Sequence, residues 1–198
     1  MARPSKYDRE AVADAIMRTF WEHGYEATSL DRLEKATGLK RTSLYNAFGD
    51  KEAMFTGALE RYQTTIGDPL IAALEHEDPH LGLRAHFAAQ QELLSDLHNP
   101  HGCFASAASS ELGAREDSLG ALVQAKTNDH AAALTDAFAR WQKAGKVSPE
   151  ADPARLAALL MALTNGTSTL RRAGADSPLA QHAYDAALSA FDQWLRPA

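Results

Sequence analysis

Residues 28–48, running from Thr28 to Phe48, constrain the fold more than any other stretch of this chain. Leu30 and Leu33 are spaced to bury one face of a short helix, and Leu44 and Phe48 to bury one face of the next. Ala36 is small where two helices cross closely, and Gly38 supplies the backbone freedom that a tight turn needs. Between the buried positions the second helix leaves Lys40, Arg41, Thr42, Ser43, Tyr45 and Asn46 to solvent. That set suits a DNA groove: cations for phosphates and guanine, hydroxyls for phosphates, an amide for adenine.

The rest of the chain reads as helix too. A first helix is expected from about Asp8 to His23, with Val12, Ala13, Ile16, Met17 and Phe20 on one face and Gly24 at its end. Short helices follow from Thr28 or Ser29 to Ala36 and from Arg41 to Ala47, and a fourth starts after Gly49-Asp50. Four helices are expected to open on a capping residue followed by proline: Asp68-Pro69, Asp78-Pro79, Asp152-Pro153 and Ser177-Pro178. The first of these marks a break at Gly67-Asp68-Pro69, which offers a hinge. Later helices are expected over 79–97, 104–112, 117–144, 153–173 and 178–195. No alternating β-branched run is present, so the fold class is all-α.

Composition limits the remaining choices. A chain of 198 residues that is 45% hydrophobic can bury a full core. One cysteine makes no internal disulfide, and no apolar run approaches a membrane span, so a cytoplasmic protein is expected. The net charge of -6 is uneven: residues 1–51 hold nine Lys/Arg against eight Asp/Glu, and the remainder is acidic. The basic residues gather at Arg3, Lys6, Arg9, Lys40, Arg41 and Lys51.

The chain resembles the TetR family of bacterial repressors. The resemblance rests on Gly24-Tyr25-Glu26-Ala27-Thr28-Ser29, on Ala36-Thr37-Gly38-Leu39, and on Ser43-Leu44-Tyr45-Asn46-Ala47-Phe48-Gly49-Asp50-Lys51-Glu52-Ala53-Met54-Phe55. Ala47 departs from the histidine or tyrosine of many relatives. The resemblance implies a three-helix helix-turn-helix DNA-binding domain over 1–50 and a helical ligand-binding and dimerisation domain over 51–198. It implies a homodimer on a palindromic double-stranded operator, released by a small-molecule effector, with no catalytic residues and no cofactor. Carried over by position, the resemblance implies that Thr28 caps the second helix and touches a phosphate, that Tyr45 lies against the DNA backbone, that Lys51 reaches a phosphate, and that Lys40 to Ser43 with Asn46 face the groove.

In the second domain, polar residues on apolar stripes point to a pocket. Leu119, Leu122, Val123, Leu134, Phe138 and Trp141 share a helical face with His130, and Lys126 is close by. His86 and Gln90 sit beside Leu83, Phe87 and Leu94. His86, Phe87, Gln90, Cys103, His130, Phe138 and Trp141 are therefore the candidate ligand-binding residues. The alternative is that His130 and Gln90 are satisfied core residues or sit at a stripe edge, which is the commoner situation for any single such residue. Leu156, Leu159, Leu160, Leu163 and Leu170 form one broad stripe. Leu179, Ala183, Ala187 and Ala190 form another, beside Tyr184, Leu188, Phe191 and Leu195. Two stripes on the final helix suggest one face for the core and one for a partner.

Cys103 sits at a helix start near His98 and His101. A helix N-terminus and a protonated histidine both stabilise thiolate, so an electrophile-sensing thiol is one reading, and Gly102-Cys103 resembles an electrophile-responsive subset of the family. A small packed residue is another reading, and a soft-metal ligand lacking an evident fourth partner is a third. An enzyme built on Cys103 lacks an Asp, an Asn or a glycine-rich oxyanion element.

Overall fold

The computed structural model describes residues 7–96, 98–173 and 178–195. Arg3, Lys6, Ser177 and the side chain of Leu179, named above, lie outside what is described. The chain is all-helical. In order come α1 (Arg9–His23), α2 (Leu30–Thr37), α3 (Arg41–Phe48) and α4 (Lys51–Tyr62). A π-helical turn (Gln63–Gly67), α5 (Asp68–Ala72) and a 3₁₀ turn (Ala73–Glu75) lead to α6 (Pro79–Ser95). Then follow α7 (Phe104–Leu112), α8 (Ser118–Lys143), α9 (Pro153–Ala173) and α10 (Pro178–Ser189). Among the described residues, an isolated antiparallel bridge between Val147 and Leu195 is the β-type pairing.

Side-chain caps set most helix starts, because each supplies an acceptor to backbone N–H groups that have no partner within the helix. Asp8 accepts from Glu10 and Ala11, Ser29 from Arg32, Asp50 from Ala53, Asp78 from His80 and Asp152 from Ala154. Asp68-Pro69 is different. No cap and no break occur there; Gly67 is itself helical, and the path runs from α4 through the π turn into α5. Proline has no N–H to give and its ring crowds the carbonyl four residues back. The wider π turn absorbs that clash without stopping the helix. Thr64 and Thr65 hydroxyls both donate to the Arg61 carbonyl at the start of this region.

The last helix is shorter than its periodicity suggests. After Ser189 the backbone tightens, with Phe191 N–H donating to the Leu188 carbonyl and Trp194 N–H to Phe191, and Leu195 bridges to Val147.

The chain divides into two compact units. The first holds the residues up to Ile66 together with Phe104–Val123. Its aromatic centre explains why α4 and α7 belong there. Phe20 of α1 meets Phe55 of α4 edge-on at 5.3 Å, and Phe104 of α7 meets both Phe55 (5.8 Å) and Tyr62 (5.6 Å). Arg61 ties α4 to α1 by donating to Asp14 at 2.6 Å and to Glu10 at 2.5 Å. The second unit holds Gly67–Cys103 and the residues from Gln124 onward. Leu83, Phe87, Leu134, Phe138, Trp141, Leu156, Leu160, Tyr184 and Phe191 form its core. Trp141 donates its indole N–H to the His76 carbonyl at 2.7 Å, and Arg140 donates to the Leu74 carbonyl at 2.8 Å. No helix among the described residues is long and apolar enough to cross a membrane.

Candidate nucleic-acid interface

The corner between α2 and α3 is built on Leu33 and Leu44, both fully buried, and on Gly38, whose φ of 70° is left-handed. Lys40 occupies the N-cap position of α3 but offers no cap. The acceptor comes from the preceding helix instead: Glu34 Oε1 accepts the Arg41 backbone N–H at 2.8 Å. Sequence reasoning passed over Glu34 because this bond crosses from one helix to another. Arg41 also donates from Nη2 to Asp31 at 2.7 Å.

This packing turns one face of α3 outward. Lys40, Arg41, Thr42, Tyr45 and Asn46 are exposed and Ser43 is half-buried. Tyr45 is 40% exposed, a large ring left in water. At the far end of α3, Arg9 donates to the Ala47 carbonyl at 2.8 Å and lies 4.6 Å from the centroid of Phe48. Arg9 therefore closes the C-terminus of α3, whereas the sequence placed it in a basic tail. Lys51 is half-buried at the start of α4, with Nζ 4.4 Å from the Tyr25 ring centroid and 3.5 Å from the Glu26 carbonyl.

Thr28 requires correction. Ser29 caps α2, and Thr28 is fully buried, its hydroxyl donating to the Gly24 carbonyl at 2.6 Å. A buried hydroxyl already spent on the backbone neither caps α2 nor reaches a phosphate. The other candidates lie on α3, at its N-cap and at the start of α4, all within the first unit.

The ligand candidates belong to the second unit. His86 is buried, and its Nδ1–H donates to the Leu70 carbonyl at 2.8 Å. Burial lowers its pKa to about 4, with His130 pushing the same way and the Leu70 bond opposing. His130 is half-buried and its pKa is likewise lowered by burial. Phe87 packs edge-on against His86 and Tyr184. Gln90 donates to the Thr164 carbonyl at 2.9 Å, while its buried Oε1 and the buried Ser168 Oγ have no hydrogen-bond partner among the described residues. Phe138 and Trp141 sit in the packed core, edge to face at 5.5 Å. Cys103 is half-buried immediately before α7, with His98 and His101 exposed. No group of three or more His, Cys, Asp or Glu among the described residues is arranged to hold a metal ion. A separate open cleft of about 220 Å³ between α6 and α10 is lined by His80, Arg84, Asp185, Leu188 and Asp192, with none of the candidate ligand residues on its wall.

Residues 12–58 match the family described as bacterial regulatory proteins, tetR family, and residues 81–187 match the tetracyclin repressor-like C-terminal domain. The chain is 32% identical over 175 residues to the HTH-type transcriptional repressor ComR of Escherichia coli strain K12, covering 87% of this chain and 83% of that one. Its fold is shared by a CifR cysteine mutant complexed with 26bp double-strand operator DNA, at a TM-score of 0.87 and 23% identity over 96% of this chain and 100% of that one. Escherichia coli NemR in its reduced form has the same fold, at a TM-score of 0.79 and 19% identity over 96% of this chain and 98% of that one. With a family match at each end and a repressor relative along most of its length, this chain belongs to the TetR family of bacterial regulatory proteins.

Proposed function

We propose that this protein is a homodimeric repressor that binds a palindromic operator and is released by a small-molecule effector. One observation carries the reading: the exposed face of α3 concentrates Arg41, Thr42, Tyr45 and Asn46 just after the exposed Lys40, with Leu44 holding the opposite face in the core and Lys51 following at the start of α4. Short polar side chains on an exposed helix face suit base edges, and the flanking cations and hydroxyls suit phosphates. Two such helices must meet half-sites about 34–36 Å apart, which is why a dimer belongs to the reading. Half-buried Leu159, Leu163 and Leu188 on α9 and α10 support it as apolar surface left over by one chain. The unpartnered buried Gln90 Oε1 on α6 and Ser168 Oγ on α9 support an effector site in the second unit, since a polar ligand supplies hydrogen bonds that the chain does not.

The test is a gel shift on DNA flanking its own gene. Wild type should bind one palindromic segment, and Tyr45→Phe and Lys51→Ala should each weaken binding to every duplex tried. Full retention of affinity in both variants would remove this face from the DNA.

A thiol-sensing form of the same reading rests on Cys103, half-buried at the residue before α7. Cys103→Ser should then bind DNA normally yet fail to release it on treatment with quinones or aldehydes. A serine variant that still releases DNA under electrophiles ends that form and leaves the reversible site in the second unit.

A further inference from the structure

Glu111, near the end of α7, reaches the turn between α1 and α2, 86 residues earlier in the chain. Its Oε2 accepts the Tyr25 N–H at 2.9 Å and its Oε1 accepts the Glu26 N–H at 2.8 Å. One carboxylate taking two successive backbone N–H groups is the way a backbone nest holds an anion. Gly24 makes room for it: its φ is 76°, and a Cβ there would stand 2.5 Å from Glu111 Oε2. The neighbours lock the same corner. Arg115 pairs with the Glu26 carboxylate and with Asp117, and Ser118 donates to Glu52 at 2.6 Å.

The turn held this way is also the seat of Lys51. The Tyr25 ring lies under its ammonium and the Glu26 carbonyl lies beside it, so both Lys51 partners belong to the residues whose N–H groups Glu111 binds. We propose that Glu111 is a positioning residue for DNA binding, fixing the Tyr25–Glu26 turn and through it the direction in which Lys51 presents its charge. Glu111 lies within the stretch matching the tetracyclin repressor-like C-terminal domain, and so carries that part of the chain into the DNA grip. The role rests on the reading of Lys51 as a phosphate contact.

Glu111→Gln keeps the shape and one acceptor oxygen while removing the charge, so the fold should survive with its helix signal intact. Amide exchange at Tyr25 and Glu26 should quicken about tenfold or more as the two bonds weaken. Affinity for a random-sequence duplex at low salt should fall several-fold, and the slope of log K against log salt should flatten by about one unit per subunit, as in Lys51→Ala. The double variant should bind no more weakly than Lys51→Ala alone, because both changes remove one presented charge. Wild-type slope and affinity in Glu111→Gln, or losses that add in the double variant, overturn the positioning role while leaving Lys51 at the interface. Unchanged binding in Lys51→Ala overturns the phosphate reading and this role together.

Discussion

Arg41 donates to Asp31 across the corner between α2 and α3, Nη2 to Oδ1 at 2.7 Å, with the two side chains 51% and 83% exposed. So exposed a pair adds about 0–1 kcal/mol to stability, and its consequence falls on the charge offered to DNA. Asp31 neutralises the first cation of α3. Asp31→Asn should raise affinity for random-sequence duplex several-fold at low salt, by freeing Arg41 and removing a carboxylate that repels phosphate. Specificity for the operator over random DNA should narrow, and Tm should barely move. Fluorescence titrations at two salt concentrations check this, and an unaltered random-duplex affinity would place the pair outside the DNA footprint.

The α2–α3 corner was legible in part, because burial there follows helical spacing: Leu33 and Leu44 are fully buried and Gly38 takes the left-handed turn, whereas Leu30 and Phe48 are half-buried and Ala36 is exposed. Bonds between helices leave no such periodic trace. Glu34 on the start of α3, Arg9 on its end and Glu111 on the α1–α2 turn all join residues whose proximity only the fold creates. Thr28 and Ser29 are adjacent and equally suited to cap, so composition alone did not choose between them. Asp68-Pro69 carries the same signal as Asp78-Pro79, yet a π turn takes one through and a cap starts the other. In the second unit, the aromatic stripe correctly announced burial of Phe138 and Trp141. Whether a buried ring borders a ligand or only other rings is not encoded in its spacing.

Gly82 marks where α6 runs against the ring of Trp141. A Cβ at that position would lie 2.7 Å from Trp141 Cζ2, and the ring is fixed by its bond to the His76 carbonyl. Gly82→Ala gains up to about 1 kcal/mol of helix propensity and pays a packing strain of about 1–3 kcal/mol. The strain should prevail, and Tm should fall by about 2–6 °C in a thermal melt. A higher Tm would mean that the indole shifts freely.

The buried His86 makes the second unit sensitive to acid. Its folded pKa of about 4 lies below the ordinary 6.5, so the folded state binds its proton less readily than the unfolded chain. Above pH 6.5 both states are neutral there and nothing is lost. As pH falls from 6.5 towards 4 the unfolded chain takes the proton first, and this residue costs roughly 3 kcal/mol by the end of that window. His130, lowered by burial as well, adds in the same direction. Denaturant melts at pH 7 and pH 5 should show a marked loss in wild type and a smaller one in His86→Leu. Equal losses in the two proteins would assign the acid sensitivity elsewhere.

Leu188 and Phe191 lie three residues apart near the end of the chain, on one and the same of the two stripes of the final helix. The structure separates them. Phe191 is fully buried and stacks on Phe138 with ring centroids 5.7 Å apart, whereas Leu188 is half-buried on the wall of the cleft beside α6. A carboxylate at 191 would sit unpaired among aromatic rings, a desolvation cost large enough to consume much of a domain's stability. Phe191→Glu should therefore lose its helix signal and precipitate or unfold. Leu188→Glu should stay helical and sediment as a monomer at micromolar concentration, with affinity for a palindromic operator lost and weak random-duplex binding retained. Sedimentation of a folded Leu188→Glu dimer would move the partner face away from this edge of α10. A wild-type monomer that still shifted palindromic DNA would remove the dimer itself.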